Sequence, residues 1–231
     1  SMRDPRLDKL ADVLVGYSTA VRKGDLVNIN AEAVALPLVE AVYRSVLRAG
    51  GHPFWTPKCE ALHEALLIEG TEEQLAYVSP LDLERVGTID VHIGLWSEVN
   101  TRYLSRVDPA KIARQQAAVR PARKIFMERE ARHELRWCGT QFPTAASAQE
   151  AEMSLRQYED FVFGAGLLDT PDPVAGWRAI RDTQEHLRKR LQGSKEIRFV
   201  VPPHNGHDGT DLRVSVDGST WINCAGEANF P

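Results

Sequence analysis

Leu26-Val27-Asn28-Ile29-Asn30 reads as a short strand, and the residues after it set the architecture. A helical pattern follows through Leu38, Val42, Val46 and Leu47 and stops at Gly50-Gly51, a C-terminal signal because glycine accepts the left-handed conformation. His52-Pro53-Phe54-Trp55-Thr56 is then a second strand. Strand, helix and strand at this spacing form a crossover unit, which pairs its strands in parallel.

The pattern extends in both directions. Upstream, Asp4-Pro5 is an N-cap followed by proline at the first helical position. Leu7, Leu10, Ala11, Leu14, Tyr17 and Val21 then share one helical face, and Lys23-Gly24-Asp25 ends the run. Downstream come a helical patch from Glu60 to Tyr77 and a third strand, Ile89-Asp90-Val91-His92-Ile93-Gly94. A long basic helix follows from Pro109 to about Arg132, with Pro121 as a candidate break. Leu135-Arg136-Trp137-Cys138-Gly139 is a fourth strand. Helices follow around Thr144–Ala151, Ser154–Gly164 and Pro173–Leu191. The expected fold class is α/β, a mostly parallel sheet flanked by helices, with right-handed crossovers.

The last forty residues read differently. Gly193-Ser194 ends the last helix, and Glu196 to Val201 is a strand. Pro202-Pro203-His204-Asn205-Gly206 is a loop. Leu212, Val214 and Val216 alternate with Arg213, Ser215 and Asp217, the two-residue period of a half-buried strand. Asp217-Gly218 reads as a tight turn, with Ser219 to Asn223 returning as its partner strand. A lone hairpin is marginal in water, so this one is expected to be the start of a second domain. The boundary falls near residue 193, giving an N-terminal α/β domain over 1–193 and the start of a truncated catalytic domain over 194–231.

Composition excludes several classes. The 231 residues are 43% hydrophobic and 26% charged, enough for a core and too apolar for disorder. Cys59, Cys138 and Cys224 are odd in number and far apart, so neither a disulfide framework nor a CxxC metal pair is expected. No apolar run approaches the roughly 20 residues of a membrane span. A cytoplasmic location is the expectation. The net charge of −4 hides asymmetry: residues 1–100 hold 9 basic and 15 acidic side chains, and residues 101–136 hold 10 basic and 4 acidic. The basic stretch lacks interleaved aromatics, so a solvated helix face is favoured over nucleic-acid binding.

Few motifs in the chain carry chemistry. Gly164-Ala165-Gly166 follows a helix and lacks the third glycine of a dinucleotide fingerprint. Gly16-Tyr17-Ser18 lies within an amphipathic helix, unlike a nucleophile elbow. His63-Glu64 and His133-Glu134 are halves of a zinc helix whose second histidine is replaced by Leu67 and Trp137. His204-Asn205-Gly206-His207-Asp208-Gly209-Thr210-Asp211 holds four possible metal ligands, although Gly, Asn and Asp also gather in turns for backbone reasons alone.

Several blocks, taken together and in order, resemble one family. They are Asp4-Pro5-Arg6, Lys23-Gly24-Asp25, Trp137 to Thr144, Ala148 to Ser154, Tyr158-Glu159-Asp160-Phe161, Asp172 to Trp177, Gly209-Thr210-Asp211-Leu212 and Trp221-Ile222-Asn223. The family is M29, the thermophilic-type metalloaminopeptidases (the aminopeptidase T and aminopeptidase S group). The resemblance implies a cytoplasmic exopeptidase, usually a dimer, that removes N-terminal residues from peptides. It implies two divalent ions, zinc or cobalt, held by glutamate, histidine, aspartate and tyrosine side chains of a C-terminal domain. The first of those ligands is expected a few residues beyond the Asn229-Phe230-Pro231 turn. Glu227 precedes that turn, so no residue of this chain inherits a catalytic or metal role, and the chain itself is expected to be structural. The other reading is a free-standing α/β interaction module.

Overall fold

A computed structural model describes residues 4–231. The elements run α1 (Pro5–Val13), β1 (Leu26–Glu32), α2 (Leu36–Arg48), β2 (His52–Lys58), α3 (Glu60–Glu69), α4 (Glu72–Leu75), α5 (Pro80–Thr88), β3 (Val91–Trp96), α6 (Pro109–Ala131), β4 (Arg136–Gln141), α7 (Ala145–Glu150), α8 (Leu155–Ala165), α9 (Pro173–Leu191), β5 (Glu196–Val201) and β6 (Thr210–Ser215). They divide into two compact units. One holds the residues up to Val174 together with Gly226–Pro231, and the other holds Ala175–Ala225.

The larger unit is built on a four-stranded sheet in the order β2-β1-β3-β4, parallel throughout. Register places Val27 beside Val91, Ile29 beside Ile93 and Ala31 beside Leu95, and all six side chains are fully buried on one face. Cys138 joins them from β4. α1 and α2 pack on each other next to this face, and Asp12 bonds Ser45 at 2.7 Å and Arg48 at 2.8 Å. Asp4 caps α1 as expected, accepting from the Arg6 amide at 2.9 Å. The helix read from the sequence as one run to Val21 instead changes to a π turn over Leu14–Ser18.

The opposite face of the sheet is polar at its centre. Asn28 of β1 accepts from Arg85 of α5 at 3.2 Å and bonds His92 of β3 at 3.1 Å, while its amide donates to Thr56 of β2 at 2.9 Å. Phe126 of α6 sets its ring against His92 and Trp137 with centroids 5.6 and 6.3 Å away. Helices therefore flank both faces.

α6 runs unbroken through Pro121. It has no buried residue, and its basic side chains do defined work. Lys111 donates to the Ile68 carbonyl at the end of α3 at 2.8 Å, and Arg129 donates to the Val86 and Ile89 carbonyls at the end of α5 at 2.9 and 2.6 Å. Cations at helix C-termini satisfy orphan carbonyls and oppose the negative end of the dipole.

Residues 228–231 lie along the edge of β4. Asn229 bridges Gly139 in parallel, the Gly139 amide donates to Ala228 at 2.9 Å, and the Phe230 amide donates to Gly139 at 2.8 Å. Phe230 is 3% exposed, and a Cβ on Gly166 would meet its ring at 2.9 Å, so only glycine fits there.

The smaller unit corrects the expected hairpin. β6 pairs antiparallel with β5, from Glu196↔Ser215 to Val201↔Thr210, and Ser219 to Asn223 forms no strand. The closing turn is Asn205-Gly206, where both residues have positive φ, 48° and 82°. That is the type I′ turn, whose twist matches a hairpin. At Asp217-Gly218 only the glycine has positive φ, 73°, so no such turn forms there.

Candidate functional site

In an open α/β sheet, the crevice for ligands lies beyond the carboxyl ends of the strands, where the strand order reverses. Here that point lies between β1 and β3, because the chain steps from β1 out to β2 and then back across to β3 and β4. Glu32 ends β1 and Lys58 ends β2. Ser97 follows β3 and accepts the Glu32 amide at 3.2 Å through its hydroxyl.

Beside these strand ends, Cys59 stands at the N-cap of α3 and Glu60 opens the helix. Glu60 accepts from the amides of Val99 and Asn100 at 2.8 and 3.1 Å and so ties down the loop after β3. One turn further along α3, His63 Nδ1 shares a 2.8 Å hydrogen bond with the Tyr103 hydroxyl. Glu32, Lys58, Cys59, Glu60, His63 and Tyr103 together line a hollow of about 240 Å³.

The field in this hollow is negative. Burial raises the Glu32 carboxyl above its ordinary value, and neighbouring Glu60 adds to the rise while Lys58 opposes it. Burial likewise raises the Tyr103 hydroxyl, reinforced by Glu60, Glu32 and Glu98. Such a hollow favours cations over anions. A larger hollow of about 850 Å³ lies among α3, α4, α5 and α6, lined by Leu66, Tyr77, Val78 and Val119 among others. Its walls are mainly apolar and it lies away from the strand ends, so the smaller rim hollow is the better candidate for chemistry.

Of the motif residues singled out from the sequence, His63 lines this rim hollow and the following lie elsewhere. Leu67, where a zinc helix needs its second histidine, is fully buried core. His133 sits in a turn at φ 58° and Glu134 pairs with Arg132 at 2.8 Å. Ser18 is buried under the sheet and Gly166 packs on Phe230. Among the described residues no three His, Cys, Asp or Glu side chains are grouped to hold a metal ion. Glu227 belongs to the segment rejoining the larger unit and His204 to Asp211 belong to the smaller one. Glu32, Lys58, Glu60 and Tyr103 were not singled out in sequence. The available clue was positional, since each ends or follows a strand, but it needed the strand order to be read.

The family model for thermophilic metalloprotease (M29) matches residues 3–231. A curated relative, Aminopeptidase 2 of Geobacillus stearothermophilus, is 24% identical over 228 residues, covering 94% of this chain and 54% of its own length. The solved structure of wild-type AmpT from Thermus thermophilus superposes with a TM-score of 0.74 at 20% identity, over 98% of this chain and 59% of that one. The chain thus spans a little over half the length of these relatives.

Proposed function

The chain belongs to the thermophilic metalloprotease family M29, and from that premise we propose that it is the N-terminal portion of a metal-dependent aminopeptidase. The parent would remove N-terminal amino acids from peptides in the cytoplasm, as a homodimer. The observation that carries this reading is a family match across residues 3–231, joined to an aminopeptidase relative of which the chain covers 54%.

The parent's two divalent ions, zinc or cobalt, would activate water and polarise the scissile carbonyl. The donors in this chain do not fit such a pair, since no group of three is found among the described residues. We assign this chain a scaffolding role. Its carboxyl rim is the part suited to wall a substrate chamber. Residues 228–231 run parallel to β4, and Thr140 holds the Pro231 carbonyl at 2.7 Å near the end of that strand. The negative hollow at Glu32, Glu60 and Tyr103 belongs to the same unit.

Expression of the gene product extending past Pro231 tests the reading. Release of p-nitroaniline from leucyl-p-nitroanilide should be lost with chelator and restored by zinc or cobalt, while the 231-residue chain alone stays inactive. A native stop codon after Pro231, or a longer product with no metal-dependent turnover, would refute it and leave the free-standing α/β module.

A further inference from the structure

The turn that closes the β5–β6 hairpin does more than reverse the chain. His204 and His207 flank Asn205-Gly206 and form an antiparallel bridge. The His204 amide donates to the His207 carbonyl at 3.2 Å, and the His207 amide donates back to His204 at 3.0 Å. In such a doubly bonded pair the two Cα atoms stand roughly 5.5 Å apart and both side chains leave the same face of the ribbon. Both histidines are exposed. Two imidazoles at that spacing can turn one nitrogen each toward a common point.

We propose that His204 and His207 form a two-imidazole clip for a single borderline dication such as Zn²⁺ or Ni²⁺, with water in the other positions. Imidazole nitrogen suits these metals, which take such sites ahead of calcium or magnesium. Asp211 is not a third ligand, because both its oxygens are engaged by Arg198 at 2.6 and 2.7 Å. No group of three donors is found among the described residues, so the clip is open and its ion exchangeable. Three of the other five imidazoles are hydrogen-bonded, His63 to Tyr103, His92 to Asn28 and His186 to the Asp182 carbonyl, and His52 and His133 stand far from the hairpin in sequence with no histidine neighbour to pair with. The clip exists only when the hairpin is formed, so an ion bound there stabilises the hairpin by mass action. This site is separate from the metal pair of the proposed peptidase and does not depend on that reading.

The test is a Zn²⁺ titration of the metal-free 231-residue chain, without an appended histidine tag, followed by imidazole proton–nitrogen NMR. The His204 and His207 rings should shift together and saturate at one equivalent. His204→Ala and His207→Ala should each weaken binding by about tenfold or more, since each removes half of the protein ligands. Gly206→Val keeps both imidazoles but denies the turn its positive φ, and it should weaken binding as the histidine variants do. His186→Ala should bind as the parent does. Absence of any ring shift, movement of one ring without the other, or unchanged affinity in His204→Ala/His207→Ala would overturn the clip.

Discussion

Asn28 is fully buried in the middle of a parallel sheet, and its neighbours explain how a polar side chain stays there. Its carbonyl oxygen accepts from Arg85 and from His92 Nδ1, which fixes the neutral tautomer of that imidazole with its proton on Nδ1. Burial, helped by the positive charges of Arg85 and Lys58, lowers the His92 pKa to about 4. Unfolded, the same ring titrates near 6.5. As pH falls below 6.5 the unfolded chain takes up a proton that the folded chain refuses until about pH 4, so stability drops across that window. At about 1.4 kcal/mol per pH unit the full loss is of order 3 kcal/mol. Urea melts of the parent and His92→Gln at pH 7 and pH 4.5 should show a smaller pH dependence in the variant. Equal dependence in the two proteins would mean that His92 takes up its proton as readily in the fold as in the unfolded chain. Phe230 makes a second case at this scale. Phe230→Ala should cost about 3–5 kcal/mol, the usual price of deleting a buried aromatic, and a thermal melt reads it. A change below about 0.5 kcal/mol, as for surface positions, would show that the 228–231 segment does not pack on β4 in solution.

At the scale of elements, the four parallel strands and most helices were legible because each carries its own period and punctuation. α5 is less legible, although Ser79 caps it and Pro80 stands in its first turn, because Leu81, Leu83 and Val86 make only a short apolar pattern. The hairpin departs from its sequence pattern for a comparable reason. Asn-Gly and Asp-Gly both suit a two-residue turn, and only the pairing of β5 with β6 shows which one closes it. The basic stretch of α6 was legible as a helix but not as a set of caps, since its carbonyl partners lie about forty residues upstream. Arg129→Ala tests that role. Its side chain is 13% exposed, and its loss leaves the Val86 and Ile89 carbonyls without this donor, at a cost of about 2 kcal/mol. The urea midpoint should fall at constant slope, and Arg129→Lys should recover only part, because an ammonium lacks the planar fork. A midpoint within error of the parent would make the guanidinium a solvated surface charge instead.

At the scale of the whole molecule, the rim hollow could not be read from sequence, because Glu32, Lys58, His63 and Tyr103 meet only after the strand order reverses. The contrast between the two sheets is equally a property of the finished fold. β1 and β3 are shielded by helices on both faces, with Ile29, Ile93 and Leu95 at zero exposure. β5 and β6 form a two-stranded sheet on which Phe199, Val200, Val201 and Leu212 are each more than half exposed. Local opening free energy follows buried apolar contact, and an isolated pair of strands has little of it. Hydrogen exchange followed by mass spectrometry should therefore resolve two classes. Amides in 27–31 and 91–95 should exchange last, through global unfolding alone. Amides in 196–201 and 210–215 should exchange through local opening, faster by about a hundredfold or more, equivalent to roughly 3 kcal/mol of lower protection. The comparison belongs in a dilution series, since association of chains through the exposed sheet would slow its exchange at high concentration. Equal protection of both sheets at the lowest concentration would show that β5 and β6 are held as firmly as the parallel core, and the view of the smaller unit as a lightly supported hairpin would have to be abandoned.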